Sequence, residues 1–390
     1  MWAGASLVHL PWVAGQVGCP AFPTYMEEAP VFSERTSVGL DVHARSVVGH
    51  GIDQVTGEVF TSRLVPDGGA VTAWLAGLPG PVAVLYEAGP TGFGLARQLR
   101  SAGYRCEVAA PSKLRRPAGD RVKTDARDAE HLSRLLRLDD FTAVAVPEEA
   151  TEAARDLVRC REDSRSDLMR ARHRVSKMLL RHGVVWSGGH AWTGDHLAWL
   201  ARQRFAQPVS QYAFEEALDQ VLATAARRDR LDVRIEELAA DSAWTPVVRR
   251  LGCLRGISTL TGFALAVEIG DWTRFDGNSI GAYVGLVPSE NSSGKSRVLG
   301  PITKTGNGHI RRLLVEAAWH HRPRYVVGKT LRGRWDLSTP AARARGDAGN
   351  RRLHHRWAVF QARKKRYNVA TIAVARELAG WCWSLAVIED

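Results

Sequence analysis

The run Thr36-Ser37-Val38-Gly39-Leu40-Asp41-Val42 decides how the amino-terminal half of this chain folds. It is short, nearly apolar and bounded by polar residues, as expected of a strand buried on both faces. It also carries one carboxylate. A charge inside such a strand is costly without a partner or a metal ion, so Asp41 calls for an explanation beyond packing. Working outward, residues 46–52 and 58–64 read as two further strands, joined by a hairpin turn over 53–57. Residues 70–78 read as a short helix. An apolar strand follows over 81–86, ended by Gly89-Pro90, then a helix over 91–102 with Thr91 as its cap and a strand over 105–109. Residues 124–138 read as a helix with Thr124 as N-cap and acids in its first turn, and 142–146 as one more strand. Three strands in a meander, then alternating helix and strand, predict an α/β domain: a mixed sheet with helices on both faces.

Pro147 opens a different texture. Residues 148–182 hold almost no Gly or Pro, and Leu157, Leu168, Ala171, Val175 and Met178 recur at helical spacing. The pattern breaks over 183–194 and resumes over 214–240 with Phe214, Leu218, Val221, Ala225, Ile235 and Leu238. This spacing predicts a long antiparallel helical hairpin, either a plain packing arm or a coiled-coil-like element that joins protomers. A third, mainly helical region begins near residue 246. It contains Leu254-Arg255-Gly256-Ile257 ahead of the apolar run 262–269. Helix, Gly-containing turn, helix can present amides to a phosphate, and is equally an ordinary helical hairpin. The expected division is a leader over 1–35, an α/β domain over 36–147, a helical arm over 148–245 and a basic carboxy-terminal domain over 246–390.

The chain has 390 residues, enough for two or three domains at about 150 residues each, and an apolar content of 45% that is ordinary for globular proteins. Its net charge of +12 is unevenly placed. Residues 295–366 hold 19 Lys and Arg against 3 Asp and Glu, a net of +16, which leaves the remainder at −4. A basic block on a mildly acidic body fits a polyanion partner better than a merely solvated surface. Trp319, Tyr325, Trp335, Trp357 and Tyr367 lie in or beside the block and add stacking surface for bases. The 5 cysteines are widely spaced without a CxxC pair, which argues against a disulfide framework or a cysteine zinc site and fits a reducing cytoplasm. No stretch approaches the ~20 apolar residues of a membrane helix. The first 30 residues contain no Lys or Arg, so they lack the basic start of an export signal. They read as a disordered leader, with Met26 a plausible start of the working chain and a degenerate export signal the lesser alternative.

Four acids stand where chemistry is expected. Asp41 lies within the first strand. Glu87 ends the strand over 81–86, and strand ends are where α/β sheets place ligands. Asp125 and Asp128 lie three apart on one helix, hence on one face. Each has a bland explanation: Asp125 is also what a helix dipole favours in a first turn, and Glu87 also suits a surface strand end. Together they make a cluster that repels itself unless cations are present, and oxygen ligands select Mg²⁺ or Mn²⁺ over zinc. Two such ions ~4 Å apart serve phosphoryl transfer. Lys123 and Arg127 flank the paired aspartates as candidate phosphate contacts or ordinary surface charges. His131, one turn past Asp128, reads as an ordinary helix-face histidine. Asn307 between Gly306 and Gly308 reads as a loop that approaches a backbone, or as a plain turn.

The arrangement resembles the ribonuclease-H-like (RuvC-type) nuclease fold. The segments Gly39-Leu40-Asp41-Val42-His43, Leu85 to Leu99 and Lys123-Thr124-Asp125-Ala126-Arg127-Asp128 are similar to the insertion sequence 110 family of bacterial transposases, the DEDD transposases. So are Gly256-Ile257-Ser258, Val267-Glu268-Ile269-Gly270-Asp271 with Phe275, the stretch from Tyr283 to Lys295, Gly300 to Asn307, Ile310 to Leu314, and Val374 to Ala379. The ordered series covers about residues 36–386, and the leader has no counterpart. The resemblance implies Asp41, Glu87, Asp125 and Asp128 as the acidic set. It also implies a serine nucleophile toward DNA in the carboxy-terminal domain, with Ser293 favoured over Ser292. Taken as residues alone, 291–294 are a polar turn. A serine hydroxyl needs activation, and Lys295, Arg297 and Lys304, with Arg311 and Arg312, supply positive charge for a phosphate.

The expected partners are DNA, an element-encoded structured RNA and a second copy of the chain, in the bacterial cytoplasm at the nucleoid and not in a membrane. About 165 residues separate Asp128 from Ser293, which motivates a site shared between protomers. A mixture of Asp41→Ala and Ser293→Ala proteins that never restores strand exchange would count against sharing. Two other functions compete: a junction-resolving nuclease that uses the acids and water alone, and a non-catalytic nucleic-acid-binding protein from a decayed element.

Overall fold

The computed structural model describes residues 34–114, 124–293 and 296–389. The expected leader, apart from its last two residues, and both Lys123 and Lys295 lie outside the described residues. The chain forms two compact units that divide after Val146.

In the first unit, five strands make one sheet: β1 (Thr36–Val42), β2 (Val47–Asp53), β3 (Val59–Leu64), β4 (Val82–Glu87) and β5 (Arg105–Ala109). Their order across the sheet is β3-β2-β1-β4-β5. The pairs β1–β2 and β2–β3 are antiparallel, and β1–β4 and β4–β5 are parallel. Three helices complete the unit: α1 (Gly68–Ala76), α2 (Gly94–Ser101) and α3 (Asp125–Arg137). Strand alternation sorts the side chains between two faces. Val38, Leu40, Val84 and Tyr86 pack with Val71 and Leu75 of α1 and Ala96 and Leu99 of α2. Ala83 and Leu85 pack with Leu132, Leu135 and Leu136 of α3 on the opposite face. Burying each of those leucines contributes roughly 1.5–3 kcal/mol.

Gly39 sets the approach of α3. A Cβ built there would stand 2.1 Å from the Ala129 carbonyl oxygen and 2.4 Å from the Ser133 amide nitrogen. Only a residue without a side chain lets the helix backbone lie this close to the strand. His50 on β2 pins the same turn of α3 through Nδ1 and the Ser133 hydroxyl at 2.8 Å.

Two local expectations are corrected. Thr91 does not cap α2, which starts at Gly94 with Phe93 at its N-cap and no side-chain cap. The Gly92 amide instead bonds the Gly89 carbonyl at 3.2 Å, so Pro90 and Thr91 form a tight turn after β4. Residues 142–146 are not a strand. They make one bridge, Ala109 to Ala143, with two backbone bonds to the β5 edge, and mostly face solvent before Pro147. Thr124, by contrast, caps α3 as expected, its hydroxyl accepting from the Arg127 amide.

The second unit begins with α4 (Glu149–Arg181), α5 (Gly194–Ala201) and α6 (Pro208–Ala240). The helices α4 and α6 have 33 residues each, about 50 Å at 1.5 Å per residue. They pack antiparallel. Ala154 and Val158 meet Ile235 and Ala239 at one end, while Leu168, Ala171 and Val175 meet Val221 and Phe214 toward the other. Arg161 grips Asp232 with two bonds across the pair.

The rest of the unit comprises α7 (Thr245–Leu251), α8 (Thr259–Ile269), α9 (Ser279–Tyr283), the hairpin β6 (Pro288–Glu290) and β7 (Leu299–Ile302), α10 (Gly308–Trp319), α11 (Lys329–Asp336), α12 (Pro340–Ala362) and α13 (Tyr367–Ala386). Its core gathers Leu254, Ile257, Val284, Ile310, Leu314, Leu353, Trp357, Val374 and Leu378. The Gly256 turn is spent inside this core. Its φ is +86°, and an added Cβ would lie 2.5 Å from the Ala317 carbonyl oxygen of α10. Among the described residues no helix is long and apolar enough to cross a membrane.

Candidate functional site

The acidic site follows from sheet register. Leu40 pairs with Tyr86 on the parallel strands β1 and β4, so Asp41 and Glu87 come next, side by side at two strand ends. Both side chains alternate away from the buried Leu40 and Tyr86, onto the face that α3 covers. Helix α3 begins at Asp125, and the close contact at Gly39 brings its first turn to the same strand end. The fold thus brings carboxylates from β1 and α3 together although more than 80 residues of sequence separate them.

Asp41, His43 and Asp125 present one ligand atom each, all within 4.8 Å of one another. His43 Nε2 stands 3.0 Å from Asp41 Oδ2 and 3.9 Å from Asp125 Oδ1, so the imidazole bridges the two carboxylates. Arg63 of β3 reaches Asp125 at 3.8 Å from the solvent side. Asp41 is the most enclosed, its side chain 16% exposed against 44% for Asp125. Burial pushes its carboxyl up from the ordinary value. His43 opposes that shift, and the charges of Asp125 and Asp128 add to it. Burial is the largest cause of the shift, and the two neighbouring carboxylates add to it. Asp128 therefore feels Asp41 through its charge, but neither Asp128 nor Glu87 belongs to the tight three-residue group.

Sequence reasoning missed His43 and Arg63. The signal for His43 was present in Asp41-Val42-His43, since alternation at a strand end returns residue i+2 to the same face. Arg63 had no signal, because its approach depends on the β1–β2–β3 meander. The group that could hold a metal ion is consequently carboxylate, imidazole and carboxylate, where oxygen ligands alone were expected. Two partly buried acids with an imidazole between them are a donor set that fits a hard or borderline divalent cation.

The candidate serines lie in the second unit, on the β6–β7 hairpin. Ser293 is exposed, and its backbone pairs with Ser296. Ser292 donates its hydroxyl proton to Glu290 Oε1 at 2.8 Å and accepts from the Val298 amide at 3.3 Å. Arg297 is exposed beside Glu290 at 3.2 Å. Lys304 is exposed in the turn before α10. Arg311 and Arg312 are engaged by protein. Arg311 donates to the Val284 and Thr305 carbonyls at 3.0 and 2.8 Å. Arg312 pairs with Glu316 and with Glu162 of α4.

Asn307 is a helix cap. Its Oδ1 accepts from the His309 and Ile310 amides, and its Nδ2 donates to buried Glu268 of α8 at 2.8 Å. Glu268 also takes two bonds of 3.0 Å from Arg159 of α4. Burial pushes the Glu268 carboxyl up, and His309, Arg159 and Arg155 more than offset it, holding it down at about 2. His309 Nδ1 is 4.0 Å away, beyond hydrogen-bonding reach, so we assign most of this to Arg159.

An acidic strand-end site on an α/β unit and a basic helical unit with a serine hairpin describe the class of DNA-cutting mobile-element enzymes. Comparison with known families makes this specific. Residues 38–183 match the DEDD-type IS110 transposase family, and residues 248–330 match the Transposase IS116/IS110/IS902 family. A Sinorhizobium fredii protein described as a transposase, y4qE, is 40% identical over 302 residues, covering 77% of this chain and 74% of its own. The transposase for insertion sequence element IS1533 of Leptospira borgpetersenii is 30% identical over 295 residues, 72% of this chain and 82% of its own. The transposase for element IS1328 of Yersinia enterocolitica is 24% identical over 321 residues, 80% and 86% respectively. The chain belongs to the IS110 family of transposases, enzymes that cut and transfer DNA strands.

Proposed function

We propose that this transposase moves a bacterial insertion element by divalent-metal-dependent strand cleavage and exchange, with Asp41 and Asp125 as the principal metal ligands and Ser293 as the nucleophile. The observation that carries the reading is the convergence of Asp41, His43 and Asp125, with Asp128 close enough to raise the Asp41 carboxyl. Glu87 lies one register step past the Leu40–Tyr86 pair, beside Asp41, and joins the acidic set at the strand ends. A bound Mg²⁺ or Mn²⁺ would supply charge stabilisation for phosphoryl transfer. His43 favours Mn²⁺ among the two, since imidazole is a better ligand for the softer ion. The meander of three strands leading into parallel strands and helices supports a ribonuclease-H-like reading of this unit.

The protein's own part on the serine side is positional. The exposed hairpin brings the Ser293 hydroxyl to the surface, with Arg297 and Lys304 on the same hairpin and the following turn to hold a phosphate. Arg127, in the first turn of α3, is the phosphate contact this reading assigns near the acids. In the step, a bond forms from Ser293 Oγ to phosphorus as one phosphorus–ester oxygen bond breaks. The hydroxyl proton passes to the departing oxygen, directly or through water. The basic stretch 295–366 supports a nucleic-acid partner, and an element-encoded structured RNA that guides the enzyme is part of the proposal. The hydrogen bond from Ser292 to Glu290 favours one second reading, in which Ser292 is the attacking group and Glu290 takes its proton.

The test is incubation with Mg²⁺ and the DNA that flanks the gene, followed by mass spectrometry for a phosphoserine–DNA adduct. An adduct on Ser293 that disappears in Ser293→Ala is the expected result. An adduct on Ser292 selects the second reading, and undiminished cleavage by both serine variants would leave a nuclease that uses water.

A further inference from the structure

A cleft of about 810 Å³ lies between the β6–β7 hairpin, α12 and α13. Its volume falls within the roughly 300–1,000 Å³ typical of small-ligand pockets, too small for a duplex. Its walls are of two kinds. Leu286, Pro301, Ile302 and Ile372 make an apolar lining with the indoles of Trp381 and Trp383. Arg345, Arg356 and Arg376 stand in the same lining, against one carboxylate, Glu377. Glu377 is already shared between Arg352 at 2.8 Å and Arg356 at 3.6 Å. Arg376 is exposed, and among the described residues no carboxylate lies within ion-pairing distance of it. Arg345 lies over the Trp381 ring at 4.6 Å, held there by its bond to the Ser384 hydroxyl. The Trp383 indole nitrogen and the Arg356 Nε are buried and make no hydrogen bond.

We infer that this cleft binds a single DNA strand, taking one or two unstacked bases against the tryptophans while the arginines hold the flanking phosphates. Charge complementarity argues for the occupant. Three guanidiniums facing one shared carboxylate leave an excess of positive charge around an apolar floor, which suits a base with its phosphate, repels a basic partner and would be left unpaired by a purely apolar one. Continuity supports it too, because Pro288, Gly300 and Pro301 of the lining belong to the hairpin that carries Ser292 and Ser293. A strand splayed into the cleft would be anchored beside the proposed nucleophile. The choice of DNA over RNA rests on that proposed role of the hairpin.

The test uses the full chain with Ser293→Ala, so that binding is read without chemistry. Single-stranded DNA and RNA oligonucleotides carrying 5-iodouracil are photo-crosslinked to it, and the adducts are mapped by peptide mass spectrometry. The expected result is a DNA crosslink on Trp381 or Trp383. Arg376→Ala should weaken DNA binding about tenfold, in the range of losing one good phosphate or stacking contact. Ala373→Trp, which fills the cleft from α13, should abolish the crosslink with an unchanged thermal melt; if it does not fold, Arg376→Ala decides alone. Crosslinks confined to other regions, a crosslink that survives filling, or one made by RNA and not DNA would each overturn the inference. The reading of the hairpin fails separately, if a protein carrying both Ser292→Ala and Ser293→Ala still cleaves DNA.

Discussion

Glu268→Gln isolates what a buried charge contributes to the hold of the helical arm on the carboxy-terminal helices. Glu268 is 2% exposed, bonded twice by Arg159 of α4 and once by Asn307 at the start of α10. Its carboxyl is lowered from 4.5 to about 2 in the fold. A tenfold change in a proton affinity corresponds to about 1.36 kcal/mol, so the ionised group contributes about 3 kcal/mol to stability at neutral pH. Because the folded value is the lower one, that contribution is complete above the unfolded value near 4.5. It fades as pH falls from there through about 2, to less than half at pH 3. Glutamine keeps the shape and one acceptor but not the charge. The assay is native-state hydrogen exchange of α8 and α10 amides, which reads local stability without requiring the whole chain to unfold in one step. The expected deficit is about 3 kcal/mol at pH 7, falling below half of that at pH 3. A deficit equal at the two pH values would show that packing, not charge, is what the substitution removes. One below about 1 kcal/mol at pH 7 would show that water already satisfies Arg159.

Gly39→Ala should separate β1 from α3, because the new methyl meets the Ala129 carbonyl and Ser133 amide. The expected loss is about 1–3 kcal/mol in a thermal or denaturant melt, with strand cleavage falling further because Asp125 and Asp128 move with the helix. His43→Ala should raise the metal concentration for half-maximal cleavage about tenfold and narrow the preference for Mn²⁺ over Mg²⁺; an unchanged metal titration would remove His43 from the site. Chelation should abolish cleavage by the wild-type protein, and added Mg²⁺ or Mn²⁺ should restore it, whereas Asp41→Asn should stay inactive at any metal concentration tested.

Much of the first unit was readable from residues alone. The strands, the Asp53 hairpin turn, the Thr124 cap and the sorting of helices to two faces follow from period-2 and period-3.6 patterns, which are local. The long arm was equally readable, since apolar residues at helical spacing over 33 residues have few other solutions. The failures were also local in kind. A Pro-Thr pair inside a glycine turn resembles a helix start, and a β-prone run at a sheet edge resembles a strand until its exposure is known. For the site, strand ends and first-turn acids named the four carboxylates, but their distances needed the register of β1 on β4 and the depth to which Gly39 admits α3. In the second unit the charge count marked a basic block, yet could not divide it. Arg311 and Arg312 are engaged by carbonyls and carboxylates, while Lys304 of the same block is exposed in the turn before α10.

Sequence by itself determined most secondary elements of the first unit and the two long helices of the arm, the acidic candidates, the basic block and the family resemblance, because each of these resides in neighbouring residues or in an ordered series of short motifs. Tertiary structure alone decided which acids meet, that His43 stands between two of them, and which arginines remain available to a ligand. These are distances between residues far apart in the chain, and no local pattern encodes a distance that backbone approach and competing partners set.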